Sequence, residues 1–168
     1  VRQLGRLVDD LLDLSRISMG KLDLRKARVP LAEVVRAAVE TSRPLIAACG
    51  HDLVMTGPAE AVDVDGDLTR LAQVVANLLN NAAKYTEAGG QITLTLEQQG
   101  GEAVLSVRDN GVGITTGDLE RIFEPFTQAE STRAQSGGGL GLGLSLVRRV
   151  LELHGGRIEA RSAGLAAG

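Results

Sequence analysis

The sequence predicts an α+β fold, a two-layer sandwich of helices on one face of a mixed sheet, preceded by one long helix of the bundle type. Three observations predict it. Residues 91–98 and 103–108 alternate apolar and polar around Gly100 and Gly101, the period-two pattern of a hairpin. Residues 31–48, 73–86 and 142–154 carry apolar side chains at steps of three and four, as helices do when they bury one side. These segments follow in the order helix, short strands, helix, hairpin, loop, helix, strand, which suits neither a bundle nor an all-β sandwich.

Residues 1–22 open the chain with Leu4, Leu7, Leu11 and Leu14, flanked by Val1, Val8, Leu12 and Ile17. A stripe this broad must be covered by a partner helix or by the rest of the chain, and the sequence leaves both open. Residues 23–30 are short, charged and end at Pro30, which suits a linker. The helix over 31–48 has Leu31, Val34, Val35, Ala38 and Val39 on one side, a bend or reset expected at Pro44, and a stop at Gly50. Residues 51–55 and 61–64 read as brief strands, and Asp67 as the N-cap of the next helix. Beyond the hairpin, residues 119–123 suggest a helical turn and 127–139 a loop. A helix over 142–154 stops at Gly155 and Gly156, and 157–160 looks like a strand.

Composition narrows the class of function. With 43% hydrophobic and 23% charged residues in a chain of 168, the protein has enough apolar material for a packed domain. Aromatic residues make up only 2%, so the core must be built from Leu, Val, Ile and Ala. A net charge of −3 argues against nucleic-acid binding through phosphate neutralisation, leaving only a local basic patch open. The single Cys49 excludes an internal disulfide, suits a reducing compartment and reads as a small buried apolar residue. No apolar run is long enough to span a membrane, and no signal peptide is visible. The helical pattern that begins at Val1 without a Met suggests an excised fragment.

The helix over 73–86 carries the most unusual surface. At about 100° per residue, Gln73, Asn77, Asn80, Asn81 and Lys84 lie on one side, with Leu71, Val75, Leu78, Ala82 and Tyr85 opposite. Asn is a poor helix former, so its recurrence here asks for a reason. Amide oxygens can coordinate a hard cation such as Mg²⁺, and a lysine one turn later can meet phosphate as a point charge. Tolerated surface amides are the alternative.

The hairpin's second strand runs into Asp109, Asn110, Gly111, Val112 and Gly113. This is either a turn or a carboxylate held where glycines let a ligand come close. Such a carboxylate can accept from the exocyclic amine of adenine and would reject guanine, which has an oxygen there. Gly137, Gly138, Gly139, Gly141 and Gly143 run into the next helix, so free amides and a helix N-terminus coincide. A flexible hinge would look the same.

Taken in order, NLLNNAAKYT, DNGVG, FEPF and GGGLGLGL resemble the N, G1, F and G2 boxes of sensor histidine kinases of two-component systems. The resemblance spans nearly the whole chain and implies the Bergerat ATP-binding fold. It implies that residues 1–22 are the second helix of a dimerisation and phosphoacceptor hairpin, 23–30 a linker and 31–168 the catalytic domain. It further implies ATP and Mg²⁺ as cofactors, with Asn77 and Asn81 serving the metal, Lys84 touching phosphate and Tyr85 lying against the nucleotide. Asp109 would read the adenine amine in a pocket shaped by Gly111 and Gly113. Phe123 and Phe126 would anchor a lid formed by 127–139, with Arg133 in it as a γ-phosphate contact. Gly139, Gly141 and Gly143 would lie by the phosphates, with Leu140 and Leu144 of the same motif at the nucleotide.

Gyrase and Hsp90 ATPases, which are similar but less so, carry a glutamate four residues before the metal-binding Asn. Here that position is Asn77, so hydrolysis should be slow and the γ-phosphoryl kept for an acceptor. The family's acceptor helix is not matched, and neither His51 nor His154 stands in a similar segment; the family's closing strand is also unmatched. The resemblance therefore implies transfer to a histidine outside this sequence and no self-phosphorylation. Its implied partners are a response regulator receiver domain and, through the hairpin, a second copy in a homodimer, in the cytoplasm, with no nucleic-acid or membrane contact. Two other readings are an anti-sigma-type protein-serine kinase and a nucleotide-binding module without phosphotransfer.

Overall fold

The structure, a computed structural model, describes residues 2–58, 60–128 and 140–164. In chain order its elements are α1 (Arg2–Ser18), β1 (Ala27–Pro30), α2 (Leu31–Ala48), β2 (Asp52–Thr56), β3 (Asp63–Gly66), α3 (Leu68–Tyr85), β4 (Gln91–Gln99), β5 (Glu102–Asp109), α4 (Thr116–Leu119) and α5 (Gly143–Leu153). β2 runs parallel to β4, and β4 antiparallel to β5, which makes the mixed sheet expected. The β4–β5 turn is Gly100–Gly101, both at positive φ (57° and 84°), as a two-residue hairpin with right-handed twist requires.

Alternation along β4 sends Ile92, Leu94 and Leu96 inward beneath α2 and α3. They meet Val34, Ala38, Val39 and Ile46 of α2 and Leu71, Val75, Leu79 and Ala82 of α3. Each such burial is worth about 1.5–3 kcal/mol against exposure, which sets the sandwich's thickness and holds α3 in place. A second cluster lies on the other flank of α3, where Val74 and Leu78 meet Leu146, Val147 and Val150 of α5. The apolar surface of α3 is therefore wider than its sequence pattern implied, because Val74 and Leu79 are buried as well.

The same second cluster settles where α1 goes. Leu14 and Ile17 of α1, with Leu22 beyond it, pack against α3 and α5. The carboxylate of the buried Asp13 accepts from Arg70 and from Gln73 Nε2 at 3.2 Å. Val8, Leu11 and Leu12 remain about half exposed, at 50%, 48% and 49%, so only one edge of the stripe is covered by the chain itself.

Several expectations need correction. α1 stops at Ser18 rather than 22, because the Gly20 and Lys21 amides turn back to Ile17 and Arg16. The stretch 23–30 is not simply a linker: β1 pairs antiparallel with β3, and Arg25 N–H donates to Asp67 at 2.9 Å. β1 shows no apolar alternation because only Val29 of its four residues is buried. α2 is not reset at Pro44 but continues through it as one helix. Residues 157–160 form no ladder; Arg157 instead grips Glu102 with two side-chain bonds, while Ile158 packs on the second cluster. The helical turn expected over 119–123 comes earlier, at α4, where Thr115 caps Asp118.

Candidate nucleotide site

α3 delivers its amide face along a helix whose start and sides are held firmly. Asp67 caps it by accepting Arg70 N–H at 3.1 Å, and its own N–H donates to His154 Nε2 at 3.0 Å. Asn77, Asn80 and Asn81 are half-buried between the two apolar flanks, and Lys84 in the last turn is exposed. Tyr85 is half-buried, and its carbonyl accepts Val112 N–H at 3.1 Å. The end of the Asn-bearing helix is thereby tied to the loop that follows Asp109.

That loop is stitched at most of its amides. Asn110 N–H donates to the Gln91 carbonyl, and Asn110 Oδ1 accepts Gln91 N–H at 2.8 Å, so this side chain closes the strand ends. Asp109 Oδ1 accepts Gly111 N–H at 2.9 Å, which orients the half-buried carboxylate and leaves Oδ2 as its second acceptor. Gly111 sits so close to the Tyr85 carbonyl that a Cβ would collide with it. Ile114 N–H donates to Ser162 Oγ at 2.9 Å. Sequence reasoning missed Ser162, which is separated from its partner by 48 residues and belongs to no recognised motif.

The glycine-rich motif meets α3 at one point. A Cβ built on Gly143, the first residue of α5, would lie 3.9 Å from Asn77 Oδ1. The start of α5, whose first amides have no acceptor within the helix and which carries a partial positive charge, therefore stands beside the amide face. Leu142 is buried and Leu144 half-buried, while Leu140 is exposed. Gly141 is tight against Thr127 and Phe126, where only glycine fits, and its carbonyl accepts Phe126 N–H at 3.0 Å. Arg133 and Gly139 lie outside the described residues, as do Gly137 and Gly138.

Phe126 is 66% exposed and takes a left-handed backbone, φ 63°, while Phe123 is half-buried. The buried side chain is Ile122, and the loop base is pinched by main chain, Phe126 N–H to Gly141 O. Phe123 and Phe126 flank that pinch.

The chemistry of these groups suits a cation carried by phosphate. Asn77 Nδ2 and Asn80 Oδ1 are buried without a hydrogen-bond partner, a costly state that a phosphate oxygen and a cation or its water would relieve. Among the described residues no three His, Cys, Asp or Glu side chains converge as a metal site. The amides fit a magnesium ion that keeps most of its shell from water and phosphate. Asn80 thus joins the polar face as a group with unmet capacity, although the motif resemblance assigned it no role.

The two histidines are otherwise engaged. His51 is buried with Nε2 2.9 Å from the Ala83 carbonyl. His154 accepts Asp67 N–H at Nε2 and donates from Nδ1 to the Val150 carbonyl at 2.8 Å. No helix among the described residues is long and apolar enough to cross a membrane.

The chain is similar to known proteins. Residues 66–166 match the family described as Histidine kinase-, DNA gyrase B-, and HSP90-like ATPase. The chain is 40% identical over 156 residues to the histidine protein kinase DivJ of Caulobacter vibrioides, covering 93% of this chain and 26% of DivJ. It therefore spans about a quarter of that relative's length. Among solved structures it is similar to the mycobacterial sensor histidine kinase MprB, with TM-score 0.69 and 32% identity over 77% of this chain and 82% of that one. It is also similar to the histidine kinase ThkA in complex with the response regulator protein TrrA, with TM-score 0.72 and 28% identity over 95% of this chain and 45% of that one.

Proposed function

The chain belongs to the family of histidine kinase-, DNA gyrase B- and HSP90-like ATPases, and within it to the sensor histidine kinases; from that premise we propose that it is the part of such a kinase that binds ATP with Mg²⁺ and gives up the γ-phosphoryl to a histidine outside these residues. The observation that carries the reading is the junction of Gly143 with Asn77, which sets a helix start beside an Asn whose Nδ2 is buried without a hydrogen-bond partner. Asn77 and Asn81 would hold the metal, which shields the phosphate charge. Lys84 would meet phosphate, Tyr85 would lie against the nucleotide, and Asp109 Oδ2 would accept from the adenine amine.

In the transfer, the bond from the β,γ-bridging oxygen to the γ-phosphorus breaks, a phosphorus–nitrogen bond forms to the acceptor imidazole, and ADP leaves. This chain's share is placement and charge compensation, since no carboxylate stands where Asn77 is to activate water. His51 is buried and His154 is bonded at both ring nitrogens, which supports an acceptor elsewhere. Onward transfer to a response regulator aspartate is supported by the likeness to ThkA in its complex with TrrA. Pairing of two copies through α1 is supported by its half-exposed Val8, Leu11 and Leu12, and the setting would be cytoplasmic.

Calorimetry with the magnesium complex of a non-hydrolysable ATP analogue tests the binding. Asn81→Ala and Asp109→Ala should each weaken it at least tenfold. Labelled ATP then tests the transfer: label should appear on a separately supplied acceptor hairpin and not on this chain alone. Stable label on the chain by itself, or unchanged binding in both variants, would overturn the reading.

A further inference from the structure

We infer that Ser162 is a positioning residue for the nucleotide base, acting through the loop that carries Asp109, and this rests on the nucleotide-site reading above. The loop 110–114 has no ladder of its own, so its shape depends on where its amides go. Asn110 N–H is held by β4, Gly111 N–H by Asp109 itself, and Val112 N–H by the end of α3. The far end has a different support. Ile114 N–H donates to Ser162 Oγ at 2.9 Å, and the same oxygen accepts Gly164 N–H at 3.2 Å. A hydroxyl oxygen has two acceptor sites, and here both are used.

The segment 162–164 does more than supply one bond. The Gly164 carbonyl lies against Gly113 so closely that a Cβ there would collide with it. Ser162 thus folds its own segment into a cap over Gly113 while gripping the next residue. Because Gly111 N–H fixes Asp109 Oδ1, a shift of the loop turns the carboxylate with it and moves Oδ2 away from the direction an adenine amine would approach. The hydroxyl therefore sets base recognition without touching the base.

A merely structural serine would weaken every nucleotide alike, whereas a positioning serine should weaken only those that use Asp109. The probes are the magnesium complexes of ATP and of purine riboside triphosphate, whose base lacks the exocyclic amine, in non-hydrolysable form. Binding is measured by calorimetry on the 168-residue chain, with a thermal melt to establish folding. Ser162→Ala should lose roughly 3–10-fold in affinity for the adenine form, the worth of one hydrogen bond, and less than twofold for the other. Ser162→Thr, which keeps the hydroxyl, should restore the difference. In an Asp109→Asn background, Ser162→Ala should cause no further loss of discrimination.

Equal weakening of both ligands, no change in either, or failure of threonine to rescue a folded protein would overturn the inference. The two readings fail separately. If Asp109→Ala leaves the ratio of the two affinities unchanged, the nucleotide-site reading falls. If Asp109→Ala collapses the ratio and Ser162→Ala does not, only the role of Ser162 falls.

Discussion

Asp67 joins three parts of the chain through one carboxylate and one amide. Its oxygens accept from Arg25 and Arg70, and its N–H donates to His154. Burial pushes its carboxyl upward, but the backbone amides of Arg25, Arg70 and Thr69 and the charge of Arg70 outweigh that and hold it below the ordinary 3.8. A depressed folded value means the stabilisation is complete above pH 3.8 and disappears as pH falls below it through the folded value. Asp67→Ala should cost about 2 kcal/mol at neutral pH, since a cap amide and the part-buried Arg25 amide both lose their acceptor. Asp67→Asn keeps a cap but cannot titrate, so its stability gap to the parent, measured by thermal melts, should narrow in acid.

Phe126 is a residue-scale contrast, because its left-handed backbone stabilises nothing by ring burial. Phe126→Gly should raise stability by up to about 1 kcal/mol through relief of that conformation, whereas Phe126→Ala should not. Paired melting curves decide it.

At the scale of elements, the decisive contact is α1 on α3 and α5. It combines an apolar seam of Leu14 and Ile17 with the Asp13 grip on Arg70 and Gln73, in which Asp13 and Arg70 side chains are only 11% and 21% exposed. Removing the carboxylate leaves the mostly buried guanidinium with Gln73 Oε1 at 2.9 Å but without its charged acceptor, a loss of about 1.5–3 kcal/mol. Asp13→Ala should therefore speed amide hydrogen exchange throughout α1 while α3 stays protected by its two other interfaces. Equal loss of protection in both helices would show that α1 and α3 open together.

For the whole molecule, α3 is the shared wall of two apolar clusters, so damage to it is not local. Leu79 is fully buried, and Leu79→Ala should cost about 3 kcal/mol, lowering the melting temperature of a chain this size by roughly 6–12 °C. Saturating magnesium–nucleotide analogue at a hundred times its dissociation constant should add about 2.7 kcal/mol to the parent. Asn81→Ala should fold normally and, at the same ligand concentration, keep no more than about 1.4 kcal/mol of that gain for tenfold weaker binding, which a thermal-shift titration reads directly.

The elements with a local cause were legible in the residues. α2 and α3 could be placed from apolar spacing, Asp67 as a cap from its chemistry, and the β4–β5 hairpin from alternation around two glycines. The ordered motifs also brought Asn77, Asp109 and Gly143 together as one candidate site before any coordinates. What only tertiary structure decided has no such local mark: β1 on β3, α1 on α3 and α5, the His154–Asp67 bond across 87 residues, and Ser162 holding Ile114. Each depends on groups that meet only after distant segments have packed. The energy of such a contact is spread over the whole fold, and neither spacing nor composition of the segment carries it.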